Sequence, residues 1–256
     1  MLAWLRSLLG RSSPRATVDS TAPADDPTDE LLDLSCLGGA AFSDSTAWDL
    51  VYSRASRASY WTDYLHAFTL EYLAIWEAFV PSPPARVLVP GCGASVAPHI
   101  LASQGYEVVA TDLSPEAIAL QNWVTQAWSR PAGASQWDVR KRWLQRPSQR
   151  EKAQGGTLEW VVADQRDPAQ GGPFDLVFSE RALQTMPRPD RQQVLRQQFA
   201  ALTPEGAAFF VYVNTSDELR AEFEDDLKAA GFNVCSARRP LPARRGRSAL
   251  TFYRWL

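Results

Sequence analysis

Between residue 85 and the C-terminus, apolar positions gather into short runs separated by amphipathic or polar stretches. Runs rich in Val, Leu, Phe and Tyr stand at 86–89, 107–111, 158–163, 175–178, 207–213, 232–237 and 247–255, and each predicts a strand. Between them, spacings of three and four residues predict helices over 96–103, 115–128, 189–202 and 217–230. Such alternation predicts an α/β chain with a doubly wound, mostly parallel sheet and right-handed crossovers. The last two runs are joined by a Pro- and Arg-rich loop with no room for a helix, so the seventh strand is expected to be antiparallel.

The N-terminal third has a different texture. Residues 1–30 are polar and rich in Ser, Pro, Thr and Asp, and read as a disordered tail. Its first fifteen residues carry Arg6, Arg11 and Arg15 and no acid, a composition also compatible with a mitochondrial presequence or a surface helix. Residues 31–84 are dense in aromatics, and from Tyr60 to Phe79 their spacing predicts a helix ended by Pro81-Ser82-Pro83-Pro84. Residues 129–156, with Arg140-Lys141-Arg142, read as a polar insertion. The expected division is therefore 1–30, 31–84 and 85–256.

Chemistry concentrates where the first strand meets its helix. Val87-Leu88-Val89-Pro90-Gly91-Cys92-Gly93 is an apolar strand running into a Gly-x-Gly turn, and Asp112 follows nineteen residues past Gly93, at the end of the second strand. Glycines let backbone approach a ligand closely. A carboxylate at that strand end can accept both hydrogen bonds of a ribose diol. A third glycine is missing, since Ala94-Ser95-Val96 follow, and there is no Gly-Lys-Ser/Thr. A nucleoside site fits this pattern better than a dinucleotide or P-loop site, which disfavours a nicotinamide oxidoreductase.

The segment 86–118, RVLVPGCGASVAPHILASQGYEVVATDLSPEAI, resembles the first motif of class I S-adenosylmethionine-dependent methyltransferases, and within them the thiopurine S-methyltransferase family and its thiol methyltransferase relatives. The resemblance implies a Rossmann-like sheet of seven strands with helices on both faces. It implies S-adenosyl-L-methionine as cofactor, held by Pro90, Gly91, Cys92, Gly93, Asp112, Leu113 and Ser114. Val161-Val162-Ala163-Asp164-Gln165 then places Asp164 and Gln165 beside the adenine, and Ser179 at the cofactor-facing end of the fourth strand. Glu180-Arg181-Ala182-Leu183 resembles the family's Asp-Arg-Ala-Ala-Leu segment, with an altered acid-bearing start. The 31–84 segment corresponds to an N-terminal helical lid, where Trp48 and Tyr52 are expected against the cofactor. Leu202-Thr203-Pro204-Glu205-Gly206 resembles a structural turn before the fifth strand.

Arg181 is the strongest polar candidate for orienting an anionic acceptor or a thiolate, and His66 is a second catalytic candidate within the aromatic helix. His99 is expected on the outer side of its helix. Cys92 reads as a small residue that fits the turn rather than as a nucleophile.

The remaining composition narrows the partners. A net charge of −3 argues against a general polyanion binder. Asp/Asn-Pro-Pro-Tyr/Phe is absent after the fourth strand, which argues against methylation of base amines, and no RNA-binding module is visible. Three widely spaced cysteines form neither a disulfide framework nor a metal site, so a cytoplasmic location is expected, mitochondrial being the alternative. No apolar stretch reaches the roughly 20 residues of a membrane span. The expectation is a methyltransferase, monomeric or weakly dimeric, acting on a small molecule with a thiol or other soft nucleophile. The alternatives are an O- or N-methyltransferase of a metabolite and an inactive cofactor-binding regulator.

Overall fold

The computed structural model describes residues 45–54, 82–95, 97–128, 155–169, 171–184, 186–213, 217–240 and 248–254. The predicted 60–79 helix with His66, the 1–30 tail, most of the 129–156 segment and the arginine-rich loop 241–247 lie outside the described residues.

Twelve elements follow in order among the described residues: α1 (Ser45–Arg54), β1 (Arg86–Pro90), α2 (Ala97–Ser103), β2 (Glu107–Asp112), α3 (Pro115–Trp128), β3 (Thr157–Val162), β4 (Phe174–Glu180), α4 (Arg188–Ala200), β5 (Leu202–Val213), α5 (Asp217–Ala229), β6 (Val234–Pro240) and β7 (Ser248–Arg254). The strands form one sheet in the order β3-β2-β1-β4-β5-β7-β6. The first five run parallel, and β7 runs antiparallel to both β5 and β6.

The middles of the central strands are apolar on both sides, and both faces contribute to packed cores. Val87, Val89, Val108, Ala110, Leu176, Phe178, Phe209 and Val211 point into one core with Ala97, Ile100 and Leu101 of α2. Leu88, Val109, Val177, Ala208 and Phe210 point into the other with Val194 and Leu195 of α4 and Phe223 and Leu227 of α5. Strand β3 is one edge of the sheet and has its Val162 half-exposed.

Helix α3 starts where the sequence signals it. The Ser114 hydroxyl accepts from Ala117 N–H at 3.2 Å as N-cap, Pro115 takes the first helical position and Glu116 the first turn.

Two boundaries differ from expectation. The apolar period suggested α4 to residue 202, but the helix ends at Ala200, and Leu202 instead pairs with Phe174 across the sheet. The expected turn at 202–206 lies inside β5. Leu176 pairs with Ala207, so residues 203–206 bulge between two paired positions, as a Pro-containing segment must in a ladder.

Candidate active site

Strand β1 delivers the chain to a turn built around two left-handed glycines, Gly91 at φ +59 and Gly93 at φ +46. A methyl group placed on Gly91 would sit 2.7 Å from the Ala182 Cβ, and one on Gly93 would collide with the Tyr52 hydroxyl. Conformation and space therefore both demand glycine here. Cys92 N–H donates to Thr111 O at 2.9 Å, extending the β1–β2 ladder past the last paired residue.

Side chains hold this turn from beneath. Asp112 is buried; its Oδ2 accepts from Gly93 N–H at 2.7 Å and its Oδ1 from Ser114 N–H at 2.9 Å. The Gln121 amide, nearly two turns into the buried face of α3, donates to Gly93 O and Ser95 O, each at 2.8 Å. Both amide hydrogens are thereby used, so Oε1 is the acceptor that faces His99 Nε2 at 3.1 Å, and His99 Nε2 carries the proton. His99 is not on the outer side of α2. It is buried, its ring tilted against Trp160 at 5.1 Å, because the whole of this short helix except Ser103 is sunk in the core.

Helix α1 closes the turn from above. The Asp49 carboxylate accepts from the Ser114 hydroxyl and, at 3.3 Å, from Glu116 N–H, which docks α1 on the N-terminus of α3. That contact sets Tyr52 against Gly93, with Trp48 stacked on Tyr52 at 6.0 Å between centroids.

The end of β4 supplies the opposite wall. Ser179 is buried. The Ser95 hydroxyl donates to Glu180 Oε2 at 2.7 Å, and Arg181 adopts a left-handed backbone, φ 62, with its N–H donating to Val211 O at 2.9 Å.

Burial governs the electrostatics. It pushes the Asp112 carboxyl up to about 6 against the lowering effect of the Ser114 and Gly93 N–H groups. Burial, joined by the Asp112 charge, raises the Cys92 thiol well above its ordinary range, which leaves little thiolate and fits a packing role. Burial also raises Glu180, against the Ser95 hydrogen bond and the Arg181 charge.

The structure thus gathers Tyr52, Gly91, Cys92, Gly93, Asp112, Ser114 and Gln165 around one turn, Gln165 approaching Gly91 from the β3 side. Pro90 leads into this turn, Leu113 follows Asp112, and Trp48 backs Tyr52. Asp164 behaves differently. Its two oxygens take hydrogen bonds from the Arg166 backbone and guanidinium, at 2.5–3.0 Å. Burial raises the carboxyl, and the Arg166 bonds outweigh it and leave Asp164 below its ordinary range.

Sequence reasoning assigned no role to Gln121, Glu180 or Asp49. Gln121 carried a signal, being the polar residue on the face of α3 that also presents Ala117 and Ile118 to the core. Asp49 carried none, because its partner lies 65 residues away.

The family model for thiopurine S-methyltransferase matches residues 48–221, from Trp48 on α1 to the first half of α5. The chain belongs to the thiopurine S-methyltransferase family. The family is named for an S-methyltransferase, and its model covers the glycine turn, Asp112 and the end of β4. A thiopurine S-methyltransferase of Stutzerimonas stutzeri (strain A1501) is 45% identical over 53 residues, a match that spans 21% of this chain and 23% of that protein. Among solved structures, a SAM-dependent methyltransferase of Methanosarcina mazei superposes with a TM-score of 0.53 at 16% identity, covering 71% of this chain and 97% of that one. Magnesium protoporphyrin IX methyltransferase of Synechocystis PCC 6803, solved with bound SAM, gives 0.53 at 15% identity over 92% of this chain and 100% of that one. At such identities these likenesses establish a shared Rossmann-like methyltransferase fold.

Proposed function

We propose that this family member binds S-adenosyl-L-methionine at the Gly91–Gly93 turn and methylates a small molecule, a thiol or other soft nucleophile first of all. The observation that carries this is the joint placement of a buried carboxylate, Asp112, under a turn whose two glycines leave its backbone bare. Each Asp112 oxygen spends one lone pair on a backbone N–H and keeps a second for a ribose hydroxyl. This pair of acceptors thus fits a nucleoside's ribose diol. Gly91 and Gly93 would face the amino-acid portion, and Trp48 and Tyr52 would cover it. Leu113, Gln165 and Ser179 would line the remainder, with Asp164 released from Arg166 or acting through it.

When bound, the cofactor supplies a methyl group already activated by a sulfonium. The chain's task is to orient the acceptor and exclude water. Arg181 provides the positive charge at the end of β4 that would hold an anionic acceptor or favour its thiolate. A thiolate needs no base. The cytoplasm is the proposed compartment, supported by cysteine spacing that suits a reducing environment. No helix among the described residues is long and apolar enough to cross a membrane.

The test is calorimetric titration with S-adenosylhomocysteine and, separately, NADH, followed by product analysis with a thiol panel. Micromolar binding of S-adenosylhomocysteine alone, with a methylated thiol, supports the proposal. Binding of NADH alone sinks it, and binding without turnover points to the regulatory alternative.

Glu180 favours a second reading, transfer to oxygen or nitrogen. It is a carboxyl of raised proton affinity beside the turn, held by Ser95, and suits a general base for a less acidic acceptor. Under this reading Glu180→Gln lowers kcat by about 10²–10⁴ with a hydroxyl or amine substrate. With a thiol substrate, kcat is expected to change little.

A further inference from the structure

Beneath the loop that carries Asp164 and Gln165 lies a cavity of about 260 Å³. Its floor is the face that β1, β2 and β3 turn toward α4, with Leu88, Val109 and Val161 at its centre. Parallel strands are usually joined by a crossover helix that covers this face. Residues 163–173 join β3 to β4 here, and no helix stands among the described residues of that connection. The missing helix leaves the space, and Gln198 of α4 gives it chemistry.

Gln198 is 2% exposed. Its Nε2 donates to Gln165 Oε1 at 3.4 Å, while its Oε1 has no hydrogen-bond partner among the described residues. A buried acceptor left unanswered is costly, and the missing donor is the mark of something that belongs there. The rest of the wall names the kind of donor. Asp167, Gln165 and Gln197 line the cavity with Asp164, whose oxygens already accept from Arg166, and among the described residues no Lys, Arg or His lines it. A single negative ligand is therefore disfavoured, and an N–H donor, neutral or positive, is favoured. An apolar floor under an acceptor-rich wall suits a flat ring. The volume lies just under the roughly 300–1,000 Å³ of sites for drug-sized ligands, so the occupant is small.

We propose that this cavity is a second ligand site, for a small planar nitrogen-bearing molecule such as a heterocyclic amine or an amidine, whose N–H donates to Gln198 Oε1. The cavity adjoins the proposed cofactor site and shares Pro90, Asp164 and Gln165 with it, but it lies on the far side of the 164–165 loop from the glycine turn. Gly91, Cys92, Gly93 and Asp112 do not line it. Gln165 stands between the two, its amide close to Gly91 and its Oε1 also accepting from Gln198 Nε2. The inference stands independently of which acceptor the enzyme methylates.

Benzamidine is the probe, with benzoate as the same shape carrying the opposite charge. The full chain is titrated with each, free and saturated with S-adenosylhomocysteine, and binding is read by ligand-detected NMR. Benzamidine is expected to bind both forms and benzoate neither. Gln198→Met is expected to weaken benzamidine about tenfold, the loss of one hydrogen bond, and to leave S-adenosylhomocysteine binding in place. Because Gln198→Met removes a buried amide and could disturb folding, Ala169→Phe fills the cavity from the loop and should abolish benzamidine binding by itself. Three results overturn the proposal. One is displacement of benzamidine by S-adenosylhomocysteine, which would make the cavity a lobe of the cofactor site. Another is equal binding to the wild type and to both variants. The third is no binding at all, which would leave Gln198 Oε1 to an ordered water.

Discussion

Asp112 is pulled two ways. Burial favours its protonated form, and the Gly93 and Ser114 N–H groups favour the carboxylate. The balance leaves it titrating at about 6. A ribose diol that donates to Asp112 stabilises only the ionised form, so binding competes with the proton. If the cofactor's diol donates to Asp112, its affinity is expected to be flat above about pH 7 and to fall as pH drops through 6, by up to about tenfold per unit. S-adenosylhomocysteine titrated between pH 5 and 8 should show this slope, since its own amine and carboxyl titrate outside that window. Asp112→Ala should lose the slope and about 1–3 kcal/mol of affinity at pH 7.5. A pH-independent affinity in the wild type would show that the diol does not contact Asp112. This carboxylate was legible in the sequence because its position is local, at a strand end after a glycine turn. Its neighbours Gln121 and Tyr52 were less so: the turn contacts them from 28 residues downstream and from a separate N-terminal helix.

At the scale of elements, α4 and α5 are joined by charge as well as by their apolar faces. Asp226 is buried on α5 and accepts from Arg188, Arg191 and Gln192 of α4. Arg191 is equally buried and also pairs with Glu222. Burial raises the Asp226 carboxyl, and the bonds from Gln192, Arg191 and Arg188 outweigh it and leave it below its ordinary range. A carboxyl with a depressed folded value stabilises the protein fully above its unfolded value of about 4, and that contribution is lost as pH falls through the folded value. Asp226→Ala strands the buried Arg191 and should cost about 3–5 kcal/mol, measured by urea unfolding at pH 7. The deficit should shrink as the pH is lowered through the titration of Asp226. A loss under about 1 kcal/mol would mean that Glu222 and solvent satisfy Arg191 without Asp226. Helical periodicity revealed both helices, but not this contact. Asp226 reads as one more acid in a polar run, and only the packing of α5 on α4 turns it inward.

At the scale of the whole molecule, the sheet order follows from pairings the sequence announces as apolar runs, while the site depends on contacts across long separations. Ser95 meets Glu180 at 85 residues' distance and Asp49 meets Ser114 at 65. Such pairs have no periodicity to betray them, so Glu180 stood out only as a departure from the family's segment, and Asp49 not at all. Their topology also ranks the parts by how firmly they are held. Strands β1 and β4 are bonded on both edges and sealed by both cores. Among the described residues, α1 attaches chiefly along α3, through Asp49 and the cap of that helix. Its opening is expected to cost less than global unfolding. If Tyr52 and Trp48 cover a bound cofactor, ligand that binds only the closed form must slow that opening in proportion to its saturation. Hydrogen-exchange mass spectrometry with saturating S-adenosylhomocysteine should show slower exchange in residues 45–54 and in the 91–95 turn. Strands β1 and β4 exchange by global unfolding and should slow only as overall stability rises. Protection of the turn without any change in α1 would detach Trp48 and Tyr52 from the cofactor and leave Asp49 with a purely structural role.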